Sequence, residues 1–587
     1  MSVKALLVYP ELPTTYWSMR YALPFVGRKA SLPPLGLLTV AAMLPPDWEL
    51  KVCDQNVEPL SLQDIEAADL VFASAMLVQR ESLERVIALC KAVGKPLVAG
   101  GAYPTSCADQ IEGVTHFVLG EAEVNLPPFL DDFRRGCLKP RYGDLSHPGL
   151  EHTPPPRFDL VDPRNYAGAA LQFSRGCPHH CEFCDIVELF GHRPRTKPPG
   201  QFLAEMDLLF EGGWRGSLFV VDDNFIGNRS QVRRLLPELA RWQRERHYPF
   251  SLFTEASLDL AADEALMDDM VRAGFNMVFV GVETPDRATL DAVGKHQNTR
   301  LDLLASIHAI QEKGMEVAGG FIVGFDGDRE DVFDRQLQFI EKAAIPTAMV
   351  GLLTALPGTR LYARLASEGR LLDSQVDGNN THELNTNFLP RMNPGVLRSG
   401  YTRVLAEAYR PSRYFARCLG LVRRMKHHRT SCRRIGFLEL RAFFYSLVRQ
   451  SFTRYAFAYW GYLLRAFALR PRMTPEIVAM AVKGHHFFTL TRHLLEFERF
   501  RDRLERSRKD LEVRLARARR GGAETLAIWE FQRTKLVKWA RARCDRLNPD
   551  FRNNARMALE EFCRALGCPQ QVREPSTAKA IRQARSV

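Results

Sequence analysis

The chain has 587 residues, too many for one hydrophobic core, so its length predicts two to four domains. Apolar residues make up 46% and charged residues 25%, as in an ordinary globular protein, and no apolar run approaches the roughly 20 residues of a membrane-spanning helix. The net charge of +12 is uneven, because residues 401–587 carry 41 Lys and Arg against 16 Asp and Glu while residues 1–400 are acidic. The basic charge therefore belongs to the C-terminal third.

The twelve cysteines do not have the spacing of a disulfide framework. They are scattered along the chain, and Cys177, Cys181 and Cys184 are the single cluster. This usage favours a reducing compartment. The N-terminal sequence has neither the charged leader nor the long apolar run of a signal peptide, so we expect a cytoplasmic protein.

Residues 1–140 alternate short apolar runs with helical patterns. The alternation predicts a doubly wound, flavodoxin-like parallel sheet with helices on both faces. Ligands of such sheets bind at the carboxyl ends of the strands, where the glycine-rich turn 99–104 lies. The predicted strands are 4–9, 49–53, 70–73, 96–99 and 116–119, and the predicted helices are 35–44, 82–93 and 123–133.

Residues 141–164 are rich in Pro, Asp and His and are predicted to form an extended linker. Over 165–370, six apolar strands alternate with five helical patterns, which predicts a (βα)6 partial barrel. A C-terminal region at 371–430 and a basic helical extension at 431–587 complete the predicted domains. The barrel strands are expected at 169–174, 217–221, 250–254, 277–282, 316–323 and 347–354, and its helices at 201–210, 231–246, 263–273, 300–313 and 330–343.

The segment 175–184 follows the first strand of the predicted barrel, at the end of the strand where barrel chemistry is located. Thiolates are the ligands of iron-sulfur clusters, and three of them on a [4Fe-4S] cube leave one iron open to chelate a small molecule. The alternative is a structural zinc site completed by His179 or His180, although no paired Cys-x2-Cys unit follows. The three thiols have the spacing Cys-x3-Cys-x2-Cys: Cys177, Cys181 and Cys184.

Charged residues and a glycine also follow the other predicted barrel strands. At the carboxyl edge of a parallel sheet, these groups would lie near the cysteine loop. The alternative for each acid is a helix N-cap, a position that favours short polar side chains. The candidates are Asp222 and Asp223 after the second strand, Glu255 after the third, Glu283 after the fourth and Gly324 after the fifth.

The cysteine loop, with Phe183 before its last cysteine, resembles the radical SAM superfamily. Four short sequence segments resemble the hopanoid C-2 methylase group within it, and the resemblance extends to residue 430. These segments are 183–186, 221–228, 281–285 and 356–359. It implies a [4Fe-4S] cluster on the three cysteines and S-adenosylmethionine (SAM) at the open iron. It also implies SAM contacts from Asp222, Asp223, Glu255, Glu283 and Gly324.

A flavodoxin-like sheet directly before such a core resembles the cobalamin-binding radical SAM enzymes. The Asp-x-His-x-x-Gly signature, whose His ligates cobalt, is absent, and the corresponding stretch 54–59 reads Asp-Gln-Asn-Val-Glu-Pro. We therefore expect cobalamin without an imidazole ligand from this motif. The alternative is a docking domain that holds no corrin. The implied corrin contacts are Asp54, Asn56, Gly100, Gly101, Gly120 and Glu121.

The resemblance implies a cobalamin-dependent radical SAM methyltransferase that methylates an unactivated carbon. One SAM would generate the radical that removes hydrogen, methylcobalamin would donate the methyl group, and a second SAM would restore it. The substrate would be a small molecule or a lipid, such as a hopanoid-like one, and a flavodoxin or ferredoxin would supply electrons. No catalytic residue is predicted beyond the groups that hold these cofactors.

The sequence is also compatible with two other functions. The first is a cobalamin-binding radical SAM enzyme that catalyses a rearrangement or cyclisation. The second is a non-catalytic iron-sulfur or zinc protein whose basic tail binds a membrane or nucleic acid.

The segment 437–469 is rich in aromatic residues and arginine. This composition is compatible with peripheral contact with anionic lipid headgroups at the inner membrane face. A helical domain with its aromatic side chains packed inward is the other interpretation, and the sequence slightly favours it. No nucleic acid is expected, because no recognised nucleic-acid motif accompanies the charge.

Overall fold

The computed structural model describes residues 2–372, 386–425, 436–520 and 523–567. The chain divides into two compact units, one built on Met1–His486 and one on Phe487–Ser576. The first unit contains both sheets, and the described part of the second is helical. Among the described residues, no helix is long and apolar enough to cross a membrane.

A six-stranded parallel sheet with the order β2-β1-β3-β4-β5-β6 forms the N-terminal part of the first unit. Its strands are β1 (Lys4–Tyr9), β2 (Glu49–Asp54), β3 (Leu70–Ser74), β4 (Leu97–Gly100), β5 (His116–Val118) and β6 (Arg141–Tyr142). Its helices are α1 (Leu23–Val26), α2 (Leu35–Met43), α3 (Leu62–Ala67), α4 (Arg80–Ala92), α5 (Ala102–Cys107) and α6 (Ala122–Arg135).

Two separate apolar clusters cover the two faces of this sheet. Helices α3, α4 and α5 contribute Ile65, Val86 and Tyr103 to one cluster, and helices α2 and α6 contribute Leu37 and Phe129 to the other. The doubly wound, flavodoxin-like arrangement predicted from the sequence is therefore confirmed. The sixth strand lies inside the segment predicted to be a linker, where it pairs with β5.

The second sheet is also parallel, with the order β14-β13-β12-β11-β10-β7, and curves into the predicted half barrel. Its strands are β7 (Gly168–Leu171), β10 (Gly216–Val220), β11 (Phe250–Glu255), β12 (Phe275–Glu283), β13 (Glu316–Val323) and β14 (Ala348–Leu352), and a separate antiparallel pair consists of β8 (Ser174–Arg175) and β9 (Arg195–Thr196). The helices are α7 (Ile186–Phe190), α8 (Pro199–Glu211), α9 (Arg229–Glu245), α10 (Glu264–Ala273), α11 (Arg287–Ala292), α12 (His296–Thr299), α13 (Leu303–Glu312), α14 (Val332–Lys342) and α15 (Arg360–Ser367).

The described residues of the C-terminal third are mainly helical, in agreement with the sequence prediction. Its helices are α16 (Pro394–Ala408), α17 (Pro411–Arg424), α18 (Phe437–Ser451), α19 (Ala456–Leu469), α20 (Thr474–Ala518), α21 (Ala523–Arg546) and α22 (Pro549–Ala565). Helix α16 packs on the half barrel, where the buried Tyr401 and Tyr409 hydroxyls donate to the carbonyls of Val350 and Ala348 in β14. Helices α16 to α19 thus extend the unit that contains the barrel, whereas α21 and α22 belong to the second unit.

Candidate functional site

The cysteine loop begins where the backbone turns sharply out of β8. Gly176 has a φ of +93°, and a Cβ at this position would lie 2.8 Å from the carbonyl oxygen of Gly191. A side chain is therefore excluded both by the left-handed backbone and by the close approach. The amide of Cys177 donates to the same carbonyl at 3.2 Å, which fixes the first cysteine against the segment between α7 and β9.

The three cysteine thiols are half-buried and lie close enough to affect one another's ionisation. Burial raises the pKa of Cys177 and of Cys184, and the neighbouring charge of Cys181 adds to the rise. Two side-chain amides approach the sulfurs, with Asn224 Nδ2 4.0 Å from Cys177 Sγ and Gln297 Nε2 3.7 Å from Cys181 Sγ. Three thiols on one loop, with weak amide donors near two of them, have the donor chemistry of an iron-sulfur cluster.

His179 and His180 are the possible fourth ligands of the alternative zinc site. The ring of His180 stacks on that of His192 with centroids 3.7 Å apart, and burial lowers the pKa of His179. Within the described parts of the chain, no three His, Cys, Asp or Glu side chains converge on a position for a single metal ion.

A buried ion pair lies beside the cysteines and was missed by the sequence analysis. Lys295 Nζ is 2.5 Å from Glu283 Oε1, and both side chains are largely buried. Glu283 has a φ of +63° at a register shift between β12 and β13, so its side chain leaves the regular strand pattern. Glu283, Cys181 and Cys184 all raise the pKa of Lys295, which is therefore a fixed cation beside two of the three thiols.

The carboxylates of Asp222 and Asp223 hold the base of the cysteine loop. Asp222 is buried and accepts from the backbone amides of Phe173 and Ser174 at 2.7 and 2.9 Å, and from Ser174 Oγ at 2.6 Å. Asp223 accepts from the amide of Gly176 at 3.1 Å. Burial raises the pKa of Asp222 to about 7 and that of Asp223 to about 6. The structure thus gives Asp222 a positioning role, since both of its oxygens already have protein donors.

The other predicted SAM-contact residues lie along the same edge of the barrel. Burial and the neighbouring charge of Asp223 raise the pKa of Glu255 to about 8, and Glu255 lines the large cavity described below. Gly324 has a φ of +105°, and its amide donates to Asp328 Oδ2 at 2.8 Å. Glu255 is therefore the member of this set that faces open space.

Glu121 joins the first sheet to the cysteine loop. Its buried carboxylate is 2.8 Å from Arg175 Nη1 and 2.6 Å from Arg195 Nη2, and Arg175 also pairs with Glu123 at 2.9 Å. Glu121, predicted as a corrin contact, is thus committed to ion pairs. Arg195 is oriented by the same contacts.

A cavity of about 2080 Å³ connects the first sheet with the interior of the half barrel. It exceeds the roughly 300–1,000 Å³ that holds a drug-sized ligand, so it has room for more than one molecule. On the side of the first sheet it is lined by Tyr9, Asn56, Ser74, Ala75 and Met76. Inside the barrel it is lined by Ala170, Phe219, Phe253, Glu255, Met277 and Ala318.

Among the predicted corrin contacts, all within the described residues, Asn56 is the one that lines this cavity. Its Oδ1 accepts from the amide of Leu12 at 2.8 Å, and its Nδ2 donates to Asp54 at 2.7 Å. Asp54 is buried behind it and accepts from the hydroxyl of Tyr166 at 3.0 Å.

The predicted glycines shape the backbone around the strand ends of the first sheet. A Cβ on Gly100 would lie 2.8 Å from the carbonyl oxygen of Val118, and one on Gly101, at a φ of +92°, would lie 2.8 Å from Ser74 Oγ. Gly120 has a φ of +70°, and its amide donates to Thr105 Oγ1 at 2.9 Å. Their role in the structure is therefore to allow close packing at this edge.

The loop that leaves β1 crosses from the first sheet to the barrel, a link that no sequence motif indicated. Trp17 lies edge-on to Phe279 of β12 with centroids 4.8 Å apart and is still 46% exposed. Tyr16 is fully buried and stacks on Tyr409 at 5.1 Å. One residue thus anchors the loop, and its neighbour forms part of the cavity wall.

Comparison with known proteins agrees with this arrangement. The radical SAM superfamily model matches residues 171–340, and a domain of unknown function, DUF4070, matches residues 359–498. An uncharacterized methyltransferase of Synechocystis sp. (strain PCC 6803) is 39% identical over 86% of this chain and 96% of its own length. The hopanoid C-2 methylase of Rhodopseudomonas palustris (strain TIE-1) is 33% identical over 70% of this chain and 77% of its own length.

Two solved structures share the fold. The radical SAM methyltransferase TsrM of Kitasatospora setae, with cobalamin and a [4Fe-4S] cluster bound, has a TM-score of 0.52 at 14% identity over 80% of this chain and all of that one. The cobalamin-dependent SAM radical enzyme OxsB, with aqua-cobalamin bound, has a TM-score of 0.55 at 14% identity over 84% of this chain and 80% of that one. The half barrel with its three-cysteine loop and the extended similarity to these relatives have one explanation: the chain belongs to the radical SAM superfamily.

Proposed function

We propose that this protein is a cobalamin-dependent radical SAM methyltransferase that methylates an unactivated carbon of a hydrophobic substrate. The observation that carries the proposal is the single cavity shared by the carboxyl edge of the first sheet and the barrel interior. Methyl transfer to a carbon radical requires the methyl donor to face the site of hydrogen removal across the substrate. One continuous cavity joins the edge of the first sheet to the barrel end that carries Glu255, and the relatives named as methyltransferases support the assignment.

The cofactors would occupy different parts of this site. Cys177, Cys181 and Cys184 would hold a [4Fe-4S] cluster, and the edge that carries Asn56 would hold a corrin. When bound, the cluster and SAM supply hydrogen abstraction, and the corrin supplies the methyl group. These assignments rest on the donor chemistry of the loop and on the space beside Asn56.

The chain's own residues position these groups and exclude water. Asp222 and Asp223 fix the loop that carries the cysteines. Glu255 lies at the barrel end of the cavity, where its carboxyl could bond a ribose hydroxyl of SAM or, once ionised, accept from the ammonium. Phe219 and Phe253 stack at 4.5 Å on the cavity wall and provide an apolar surface for the substrate.

The apolar lining also bears on the substrate and the partners. We propose a lipid, of the kind that the name hopanoid C-2 methylase indicates for the relative, as the substrate class. A one-electron donor of the flavodoxin or ferredoxin type would reduce the cluster. We further propose a cytoplasmic protein in peripheral contact with the inner face of the membrane.

Anaerobic reconstitution tests the assignment. The protein is loaded with iron, sulfide and hydroxocobalamin and then given SAM and a strong reductant. Bound corrin, 5′-deoxyadenosine and S-adenosylhomocysteine are measured together. The variant in which Cys177, Cys181 and Cys184 are replaced by Ala is compared with Cys137→Ala, which removes an exposed thiol outside the loop.

We expect corrin binding and both SAM products from the wild type and from Cys137→Ala, and loss of 5′-deoxyadenosine from the triple variant. A protein that forms deoxyadenosine without binding corrin would be a radical SAM enzyme of another kind. Products that persist in the triple variant would overturn the cluster assignment.

A further inference from the structure

Helices α18 and α19 expose a set of large apolar side chains, which we call the exposed apolar face. Single exposed apolar residues are common on soluble proteins, but a contiguous set on neighbouring helices marks an interaction surface. Its residues recur every three or four positions, so they lie on one side of each helix. The most exposed are Phe452 (88%) and Phe457 (96%). Its members are Leu440, Phe444 and Val448 on α18, Phe452 between the helices, and Phe457, Trp460 and Leu464 on α19.

The exposed apolar face is distinct from the packed side of the same helices. Tyr459 and Tyr462 of α19 are fully buried. Tyr462 stacks on Phe415 of α17 at 4.8 Å, and the hydroxyl of Tyr459 is 3.0 Å from Ser446 Oγ of α18. The sequence left open whether these aromatics pack inward or face outward, and the structure divides them. These tyrosines lie inside, whereas the phenylalanines of the face lie outside.

The charged residues beside the face are mainly basic. Between Phe437 and Leu469 the sequence has four arginines and one acidic residue, Glu439. Arg441, Arg449, Arg454 and Arg465 are all exposed, and none forms an ion pair with another described residue. Exposed aromatic and aliphatic side chains flanked by arginine match the interface of an anionic bilayer.

The inner side of α18 forms part of the cavity wall. Leu438, Ala442 and Phe443 line the cavity, as do the first residues of β10 and β11. The cavity therefore extends from the edge of the first sheet that carries Asn56 to α18. Leu440 both lines the cavity and is 48% exposed, so the cavity reaches the protein surface at the exposed apolar face.

We propose that the exposed apolar face docks the protein on an anionic lipid bilayer, with the cavity opening at Leu440 facing the lipid. An apolar molecule could then pass from the bilayer into the barrel without crossing water. The docking surface is inferred from the exposed apolar side chains and the neighbouring arginines alone, whereas the passage of substrate rests on the proposed function.

Vesicle flotation with the full chain and no cofactor tests the docking step. Vesicles of phosphatidylcholine are compared with vesicles that also contain phosphatidylglycerol. We expect the wild type to float with the anionic vesicles and to dissociate as salt is raised, because surface charge attraction is screened. The double variant Phe452→Ser/Phe457→Ser should bind about tenfold more weakly, since two inserting side chains are removed.

The matched control is Phe531→Ser, which removes an exposed phenylalanine (70%) from α21. It should bind vesicles as the wild type does. Arg449→Gln/Arg454→Gln should lose the preference for anionic vesicles while retaining weak binding. Because both phenylalanines are exposed, their replacement should leave the thermal unfolding temperature unchanged.

Three results would overturn the inference. One is wild-type protein that does not float with anionic vesicles, and another is equal loss of binding in Phe531→Ser. The third is a sedimentation mass that shows a dimer broken by Phe452→Ser/Phe457→Ser, which would make the face an interface between copies of the chain. Vesicle binding without SAM products would instead contradict the proposed function and leave the docking surface intact.

Discussion

Glu121, in the turn after β5, lies 2.8 Å from Arg175, two residues before the first cysteine of the loop. Both side chains are largely buried, so the pair fixes the position of the cysteine loop relative to the first sheet. Removing one partner of a buried pair leaves an uncompensated charge, which costs about 3–5 kcal/mol. We expect Glu121→Gln to lower the free energy of unfolding measured in urea by about 3 kcal/mol.

The control for this substitution is Asp131→Asn, which breaks an exposed pair with Arg134 at 3.0 Å. Exposed pairs contribute about 0–1 kcal/mol, so this variant should unfold like the wild type. Glu121→Gln should also retain less iron after reconstitution, because the cysteine loop loses its anchor. Equal stability and iron content in both variants would contradict a structural link through Glu121.

A second prediction concerns the cation at Lys295. A fixed positive charge beside Cys181 and Cys184 favours the reduced, more negative form of a cluster. Lys295→Met should lower the reduction potential of the bound cluster by an amount on the order of tens of millivolts. Lys313→Met is the matched control, because Lys313 pairs with Glu264 and Asp268 away from the loop. An unchanged potential in Lys295→Met, measured by redox titration, would contradict this effect.

How much the sequence predicted depends on the range of the interactions involved. The strands β1 and β13 were predicted to the residue, because continuous buried apolar runs identify strands of parallel sheets. The cysteine spacing likewise carries its chemistry within eight residues. Strand β6 was missed, because two residues at a sheet edge give no periodic signal.

The partners of the charged residues were not predictable in the same way. Glu121 and Arg175 are 54 positions apart, and the fold alone brings them together. Lys295 follows α11 in a segment with no motif, and its position beside the cysteines depends on the register shift at Glu283. The sequence identified Glu255 at a strand end, whereas its exposure to the cavity required the structure.

The barrel interior offers a third test, at two adjacent alanines of β7. Both alanines are buried, but Ala170 lines the cavity, whereas Ala169 points to the opposite face of the strand, among the covering helices. Inserting a large side chain into a packed core costs about 1–3 kcal/mol. We expect Ala169→Phe to show that loss in urea unfolding and Ala170→Phe to show less than about 1 kcal/mol.

The activities of the two variants should diverge as well. Ala170→Phe fills substrate space, so methyl transfer to any added substrate should fall while 5′-deoxyadenosine formation without substrate continues. Equal destabilisation by both substitutions would mean that the space at Ala170 is filled in the folded protein.

The last prediction is a pH dependence set by Asp326, which follows β13. Its carboxylate is 2.6 Å from Arg370 Nη2 and 2.9 Å from Arg364 Nη1. Hydrogen bonds from these arginines lower the pKa of Asp326 to about 2. A carboxyl whose pKa is lower in the folded state stabilises the protein above its unfolded pKa near 4, and this stabilisation is lost as the pH falls toward 2.

Arg364 also binds Glu182 of the cysteine loop at 2.6 Å, so protonation of Asp326 weakens a network that holds this loop. We expect Asp326→Asn to lower the free energy of unfolding by about 2 kcal/mol at pH 7. The difference from the wild type should shrink as the pH falls from 4 to 2, because the wild-type carboxyl then becomes neutral too. Asp109→Asn, which removes an exposed partner of Arg141, should change stability by less than about 1 kcal/mol. A difference between Asp326→Asn and the wild type that stays constant across this pH range, measured by urea unfolding, would show that the ion pairs of Asp326 do not produce the effect.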